Sequence, residues 1–122
     1  MDNTIAEIVF KQLKTIEENT KCFDCGKIFI AILIPISFMS VGQDHPQWAS
    51  VNNGIFICMN CAGVHRSLGT DNSFVRSLNI DAWNDKQLKF MSVGGNKQLK
   101  EHLEQYGLAD DTIQSKYERV AV

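Results

Sequence analysis

The sequence has no excess of basic residues, and no secretory signal stands at its start. Twelve Lys and Arg residues oppose 14 Asp and Glu residues, which gives a net charge of −2 and a pI of about 5.9. This balance provides no positive field for nucleic acid, so no nucleic-acid partner is expected. The chain opens Met-Asp-Asn-Thr, where a secretory signal would carry basic residues and then an apolar run. These absences favour a cytoplasmic protein.

Internal repeats, linkers and low-complexity segments are also missing from the sequence. A chain of 122 residues that is 44% hydrophobic can bury one modest core. We therefore expect one domain over residues 1–122, with a targeting region of a longer protein beyond Val122.

The chain contains four cysteines, arranged as two Cys-x-x-Cys pairs at Cys22/Cys25 and Cys58/Cys61. Two such pairs can supply the four thiolates of a closed tetrahedral Zn²⁺ site. Two disulfides would be the alternative in a secreted protein, but the cytoplasmic context favours reduced thiols on a metal. The sequence therefore predicts one structural Zn²⁺ ion held by these four residues.

The first 18 residues favour an amphipathic helix over residues 3–18, with Asn3 as a candidate N-cap. Its expected core-facing side chains recur at helical spacing: Ile5, Ile8, Val9, Leu13 and Ile16. With the elements described next, this helix predicts an α+β fold, in which helices surround a short sheet beside the zinc site.

A β-hairpin is predicted around the turn Asn52-Asn53-Gly54, and its second strand would deliver Cys58 to the metal. A helix is expected from near Asn60 to a stop at Gly69. Further expectations are a strand over residues 74–77 and three later helices. The first is expected to be capped by Asn84, to bury Leu88, Phe90 and Met91, and to stop at Gly94-Gly95. The second is expected to be capped by Asn96, to bury Leu99 and Leu103, and to stop at Gly107. The third is expected to be capped by Asp110 or Asp111.

Residues 27–42 form an apolar run with no charge after Lys27. The run is shorter than the ~20 residues of a transmembrane helix, and Pro35 interrupts it. Such a segment would be an aggregation hazard if it were exposed.

Several motifs together resemble the Arf GTPase-activating protein (ArfGAP) domain, most of all its Golgi-type branch. They are the two Cys-x-x-Cys pairs, Trp48-Ala-Ser-Val, Gly63-x-His65-Arg66-x-Leu68-Gly69, Ser73-Phe-Val-Arg76-Ser77, Asp81-x-Trp83 and Gly94-Gly95-Asn96. The resemblance implies that Arg66 is an arginine finger inserted in trans into a GTP-bound Arf-family GTPase, and that Trp48 supports its surroundings. It also implies that Arg76 and Asp81 lie near the GTPase-facing surface.

On this interpretation the protein is an enzyme activator in vesicle trafficking, not an enzyme with its own substrate. It would be peripheral to Golgi or vesicle membranes through the GTPase or through the region beyond Val122. A non-catalytic zinc-dependent interaction module and a nucleic-acid-binding zinc finger are the alternatives. His65 is expected to form structural hydrogen bonds, Trp83 to pack in the core, and the lysines of the later helices to be solvated: Lys86, Lys89, Lys97 and Lys100.

The sequence departs from the family at residues 27–42, which double the usual spacing between the second and third cysteines. Removing these 16 residues restores the family pattern. Codons for Gly26-Lys27 and Val41-Gly42 can contain splice donor and acceptor dinucleotides, so one hypothesis is a translated intron. A lineage-specific loop is the alternative.

Overall fold

The computed structural model describes residues 4–24 and 45–108, together with Ile113, Lys116 and Tyr117. Its elements in chain order are α1 (Thr4–Leu13), a 3₁₀ turn (Glu17–Thr20), β1 (Trp48–Ser50), β2 (Ile55–Ile57), α2 (Met59–Ser67), β3 (Val75–Ser77), α3 (Asp85–Val93) and α4 (Asn96–Gln105). The predicted α+β class is confirmed. No helix within the described part of the chain combines the length and apolarity needed to cross a membrane.

The sheet has the order β2-β1-β3, and both pairings are antiparallel. Trp48 lies opposite Ile57 and Ser77, whereas Ala49 lies opposite Phe56 and Arg76. Directly opposed residues share a face of the sheet, and successive residues alternate between faces. Trp48 and Arg76 therefore project from opposite faces.

Each face of the sheet carries its own hydrophobic core. The core on the Trp48 face packs α2 and α4 against β2 and contains Cys22, Cys58, Cys61, Ile55, Ile57, Leu99, Leu103 and Tyr117. The core on the other face packs α1 and α3 and contains Ala6, Phe10, Ala49, Phe56, Trp83, Leu88 and Met91. The cysteines thus belong to one of two layers that share the sheet.

The predicted core face of the first helix is wrong at Ile5 and Ile8, which are 65% and 61% exposed. The helix buries Ala6 and Phe10 instead. The Phe10 ring meets the Trp83 ring edge-on at a centroid distance of 4.8 Å, and this contact with a ring just before α3 favours the face that carries Ala6 and Phe10. The helix also ends at Leu13, earlier than expected, and Ile16 beyond it is exposed. Asn3 lies outside the described residues.

The expected cap at Asn96 is also wrong, because Gly95 is the N-cap of α4 and Asn96 is its first residue. The buried Asn96 amide instead accepts a hydrogen bond from the Phe56 N–H at 2.9 Å and donates to the Glu18 and Lys21 carbonyls at 2.8 Å each. One side chain therefore joins α4 to β2 and to the turn that precedes Cys22.

Other local predictions agree with the structure. Asn84 forms a capping box with Gln87 at the start of α3, and Gly69 has φ +90 just after α2. Phe90 is an exception, because it is 42% exposed rather than buried. The predicted helix from Asp110 or Asp111 falls mostly outside the described residues, and the segment 27–42 falls wholly outside them.

Candidate functional site

Three of the four predicted metal ligands come together in the structure. Cys22 follows the 3₁₀ turn, Cys58 follows β2, and Cys61 lies in the first turn of α2. Their sulfur atoms all lie within 4.8 Å of one another, and all three residues are buried. A tetrahedral metal with bonds of ~2.3 Å to sulfur needs sulfur atoms about 3.8 Å apart, so this cluster can hold a metal ion. Cys25 lies outside the described residues.

Local backbone contacts bring the three cysteines to this point. The Phe23 N–H donates to the Phe56 carbonyl at 2.9 Å, which docks the chain just after Cys22 on β2. The Cys58 sulfur caps α2 by accepting from the Cys61 N–H at 3.5 Å. The first turn of α2 is therefore attached to the strand and to the metal-ligand cluster together.

Arg66 lies in the last turn of α2 and is exposed. Its guanidinium carbon is 4.9 Å from the centre of the Trp48 ring. Trp48 is half-buried and packs on the cysteine-containing core. A cation over an exposed aromatic face gains about 0.5–1 kcal/mol, which favours one orientation while leaving the planar donor fork accessible. The structure thus brings the predicted catalytic pair together.

His65, the residue before Arg66, is fully buried and bonded at both ring nitrogens. Nε2 is 2.7 Å from Asp24 Oδ2, and Nδ1 is 2.7 Å from Ser73 Oγ. Because an ionised carboxylate can only accept, Nε2 carries the proton and donates to Asp24. The prediction that His65 forms structural hydrogen bonds is confirmed.

Asp24 is the centre of this buried cluster. Lys116 Nζ donates to its Oδ1 at 2.6 Å, and the Tyr117 hydroxyl donates to its Oδ2 at 2.8 Å. Burial alone would raise the pKa of Asp24, but the His65 hydrogen bond and the Lys116 charge outweigh it and leave that pKa below its usual value. Burial, followed by the Asp24 charge, raises the pKa of Tyr117, which therefore stays a donor.

Arg76 and Asp81 lie apart from the Arg66–Trp48 pair. The Arg76 guanidinium is 4.9 Å from the centre of the Phe74 ring and 3.7 Å from an Asp81 oxygen, with each side chain about one-third exposed. Asp81 Oδ2 also accepts from the Ser77 N–H at 2.8 Å. These contacts of Arg76 and Asp81 hold the turn after β3 in place. The structure does not join them to Arg66.

Sequence reasoning missed the Asp24 cluster: Asp24, Ser73, Lys116 and Tyr117. Asp24 stands between two predicted ligands, and that position was its only local signal. Trp83, by contrast, is the expected core residue, 4% exposed, and its indole N–H donates to the Ser77 carbonyl at 2.9 Å.

A family model, ArfGap, described as "Putative GTPase activating protein for Arf", matches residues 39–121. The mouse (Mus musculus) ADP-ribosylation factor GTPase-activating protein 3 is 37% identical over 110 residues, which cover 89% of this chain and 18% of that protein. The Saccharomyces cerevisiae ADP-ribosylation factor GTPase-activating protein GCS1 is 38% identical over 97 residues, 80% of this chain and 23% of that protein. The chain thus spans less than a quarter of either relative.

Two solved structures share the fold. One is a Cryptosporidium parvum "putative GTPase activating protein for ADP ribosylation factor", with a TM-score of 0.71, 25% identity, and coverage of 99% of this chain and 91% of that one. The other is the ArfGap domain of human RIP, with a TM-score of 0.68, 19% identity, and coverage of 98% and 87%; at that identity it supports the fold alone. With the family model matching residues 39–121 and the sequence relatives covering most of the chain, this protein belongs to the ArfGAP family.

Proposed function

We propose that this chain is a GTPase-activating domain that stimulates GTP hydrolysis by Arf-family small GTPases in vesicle trafficking. The observation that carries the proposal is the exposed Arg66 guanidinium, which lies over the Trp48 ring on a helix anchored at its first turn by buried cysteines. An exposed, oriented arginine beside a structural site is the arrangement that an arginine finger requires.

Arg66 would act on the phosphate of a bound GTPase. Negative charge spreads over the phosphoryl oxygens during transfer. An arginine supplied in trans stabilises this charge and accelerates hydrolysis by ~10³–10⁵-fold. That range corresponds to roughly 4–7 kcal/mol of barrier. The guanidinium can donate two parallel hydrogen bonds, which a lysine ammonium cannot. The chain would turn over no substrate of its own, so it is an activator.

Trp48 would hold Arg66 near its working direction before the GTPase arrives. A free arginine side chain carries about 2 kcal/mol of rotamer entropy, part of which is lost when it inserts. Stacking on the Trp48 ring restricts the guanidinium beforehand and reduces that loss. Trp48 is thus a positioning residue for Arg66.

The metal in this proposal is one Zn²⁺ ion, held by Cys22, Cys58 and Cys61 with Cys25 as the fourth ligand. When bound, zinc with four thiolates supplies a closed structural cross-link and no open position for a reacting group. The buried thiol set suits that metal. The residues around it attach α2 to β2 and to the chain before Asp24.

The proposed partner is a GTP-bound Arf-family GTPase, met in the cytoplasm at Golgi or vesicle membranes through the GTPase or through a region outside this chain. The relatives that are ADP-ribosylation factor GTPase-activating proteins support the choice of GTPase. Arg76 and Asp81 are proposed to contact it, and their one-third exposure is compatible with that role.

A further part of the proposal is that residues 27–42 are dispensable. The chain is described up to Asp24 and again from His45, whose N–H donates to the Thr20 carbonyl at 2.8 Å. Without residues 27–42, four residues would lie between Asp24 and His45, and the five Cα–Cα steps between these two would span up to ~17 Å. The hydrogen bond from His45 supports such a bridge, because it brings His45 to Thr20, only four positions before Asp24.

The test is single-turnover hydrolysis of GTP on a myristoylated, GTP-loaded Arf, with this chain added at increasing concentration. A saturable acceleration is expected. Saturable binding to the GTPase without acceleration would overturn the proposal and identify a non-catalytic interaction module.

A further inference from the structure

The last turn of α2 exposes Arg66 and buries only the residue before it, His65. From Gly63 to Ser67, His65 is the one buried residue of the helix, and Val64 is 45% exposed. The metal-ligand cysteines attach the first turn, and Arg66 follows Cys61 by five residues, about 7.5 Å along a helix. The direction of Arg66 therefore depends on what holds His65.

We propose that the buried Asp24 carboxylate, through its hydrogen bond with His65, positions Arg66 for its action on the GTPase. This inference rests on the proposed function and adds to it a clamp that is separate from the thiols. Lys116 and Tyr117 complete the clamp, so the orientation of Arg66 depends on residues 50 and 51 positions further along the chain.

The bonds to His65 come from two sides of the ring. Asp24 is hydrogen-bonded to Nε2 of the His65 ring, and Ser73 is hydrogen-bonded to Nδ1 of the same ring, each at 2.7 Å. A ring fixed at both nitrogens can neither flip nor swing about its own axis without breaking a buried hydrogen bond. Because successive helical residues point about 100° apart, fixing His65 also fixes the rotation of the turn from which Arg66 projects.

The Asp24 carboxylate is itself immobilised. The side chains of Asp24, His65 and Lys116 are completely buried. The Tyr117 ring lies 4.5 Å from the His65 ring, centre to centre. One carboxylate oxygen accepts from a buried ammonium and the other accepts from two donors, and burial keeps water from replacing any of these partners. The clamp is therefore stiff, whereas Gly63 makes the intervening helix intrinsically weak.

The geometry of Arg66 can be followed without any assay of GTP hydrolysis. Because its guanidinium carbon is 4.9 Å from the centre of the Trp48 ring, the ¹H–¹⁵N resonance of the adjoining Nε–H is expected to be displaced by the ring current. Arg66→Lys assigns the resonance, because it removes it. The Trp83 indole N–H, which is bonded to Ser77 in the other core, reports whether the fold is intact.

The decisive variants are His65→Leu, which removes both ring nitrogens, and His65→Gln, which retains an N–H donor. Tyr117→Phe removes one donor to Asp24 and keeps the ring. His102→Leu is the matched control, since that histidine is exposed on α4. For His65→Leu we expect loss of the Arg66 displacement and a fall of about 10- to 100-fold in the saturating single-turnover rate. Bound zinc and the concentration giving half the maximal rate should not change.

His65→Gln and Tyr117→Phe should give intermediate losses in both readouts, and His102→Leu none. If His65→Leu does not fold, these two milder variants decide the outcome. The inference is overturned if variants that keep their zinc and their Trp83 resonance also keep the Arg66 displacement and the full saturating rate. If Arg66→Lys is fully active while the Arg66 resonance in the other variants still follows His65, the arginine-finger assignment fails and the positioning of Arg66 by Asp24 and His65 stands; if the unaltered chain binds the GTPase without accelerating hydrolysis, the proposed function itself fails.

Discussion

Two glycine-to-alanine substitutions should change stability in opposite directions. A Cβ at Gly94 would lie 3.0 Å from the Gly54 Cα and 3.0 Å from the Phe90 carbonyl oxygen. Both are backbone atoms, so the hairpin turn at Gly54 must move away from the end of α3. That movement also strains the 2.8 Å hydrogen bond from the Gly95 N–H to the Gly54 carbonyl.

We expect Gly94→Ala to cost about 1–3 kcal/mol from overpacking and about 1 kcal/mol from the weakened hydrogen bond. Gly63→Ala is the matched substitution. Within the described residues, no heavy atom lies within 4 Å of its added Cβ. Because Gly63 is in a helix interior, alanine should stabilise the protein by about 1 kcal/mol.

The assay is guanidinium unfolding of the zinc-saturated protein, followed by far-UV circular dichroism. The free energy of unfolding should fall for Gly94→Ala and rise for Gly63→Ala. Equal effects of the two substitutions, or a neutral Gly94→Ala, would refute the close approach of the hairpin and α3.

Three further outcomes follow from the same geometry. Asn96→Ala should lower the free energy of unfolding by about 2–4 kcal/mol, because the buried Phe56 N–H and two carbonyls lose their partner; an unchanged denaturation midpoint would contradict this. Removing zinc with a chelator should melt the core around Cys58 before the core around Trp83, as amide exchange by NMR would reveal; simultaneous loss of both would show one cooperative unit. Deleting residues 27–42 should preserve one bound zinc and lower aggregation in light scattering; loss of zinc would show that the segment is required.

Local spacing predicted the parts of the site that lie close in sequence. The pair Cys58/Cys61 and the helix that follows are set by the hairpin turn at residues 52–54 and the glycine stop at Gly69, all within 18 residues. Arg66 was predicted from the resemblance to the ArfGAP family, whose motif at this point is local. The same is true of the Asn84 capping box, whose partner is three residues away.

Features that depend on distant partners were missed. Ile5 and Ile8 recur with helical spacing as regularly as Ala6 and Phe10, and the choice of buried face depends on partners of Phe10 that are distant in sequence, the Phe56 and Trp83 rings. Asn96 is a good cap by residue type, but its amide is already hydrogen-bonded to the Phe56 N–H and to the Glu18 and Lys21 carbonyls. The contact of Asp24 with Lys116 joins residues 92 positions apart, which no local pattern encodes.

The most direct test of the arginine-finger assignment is the saturating single-turnover rate of Arf-bound GTP hydrolysis with Arg66→Lys, compared with Arg76→Lys. Lysine keeps the charge but loses the planar fork. We expect Arg66→Lys to lower the saturating rate by about 10³-fold or more while the GTPase Kd changes little. We expect Arg76→Lys to change chiefly the Kd. A saturating rate that survives Arg66→Lys would contradict the assignment of Arg66 as the arginine finger.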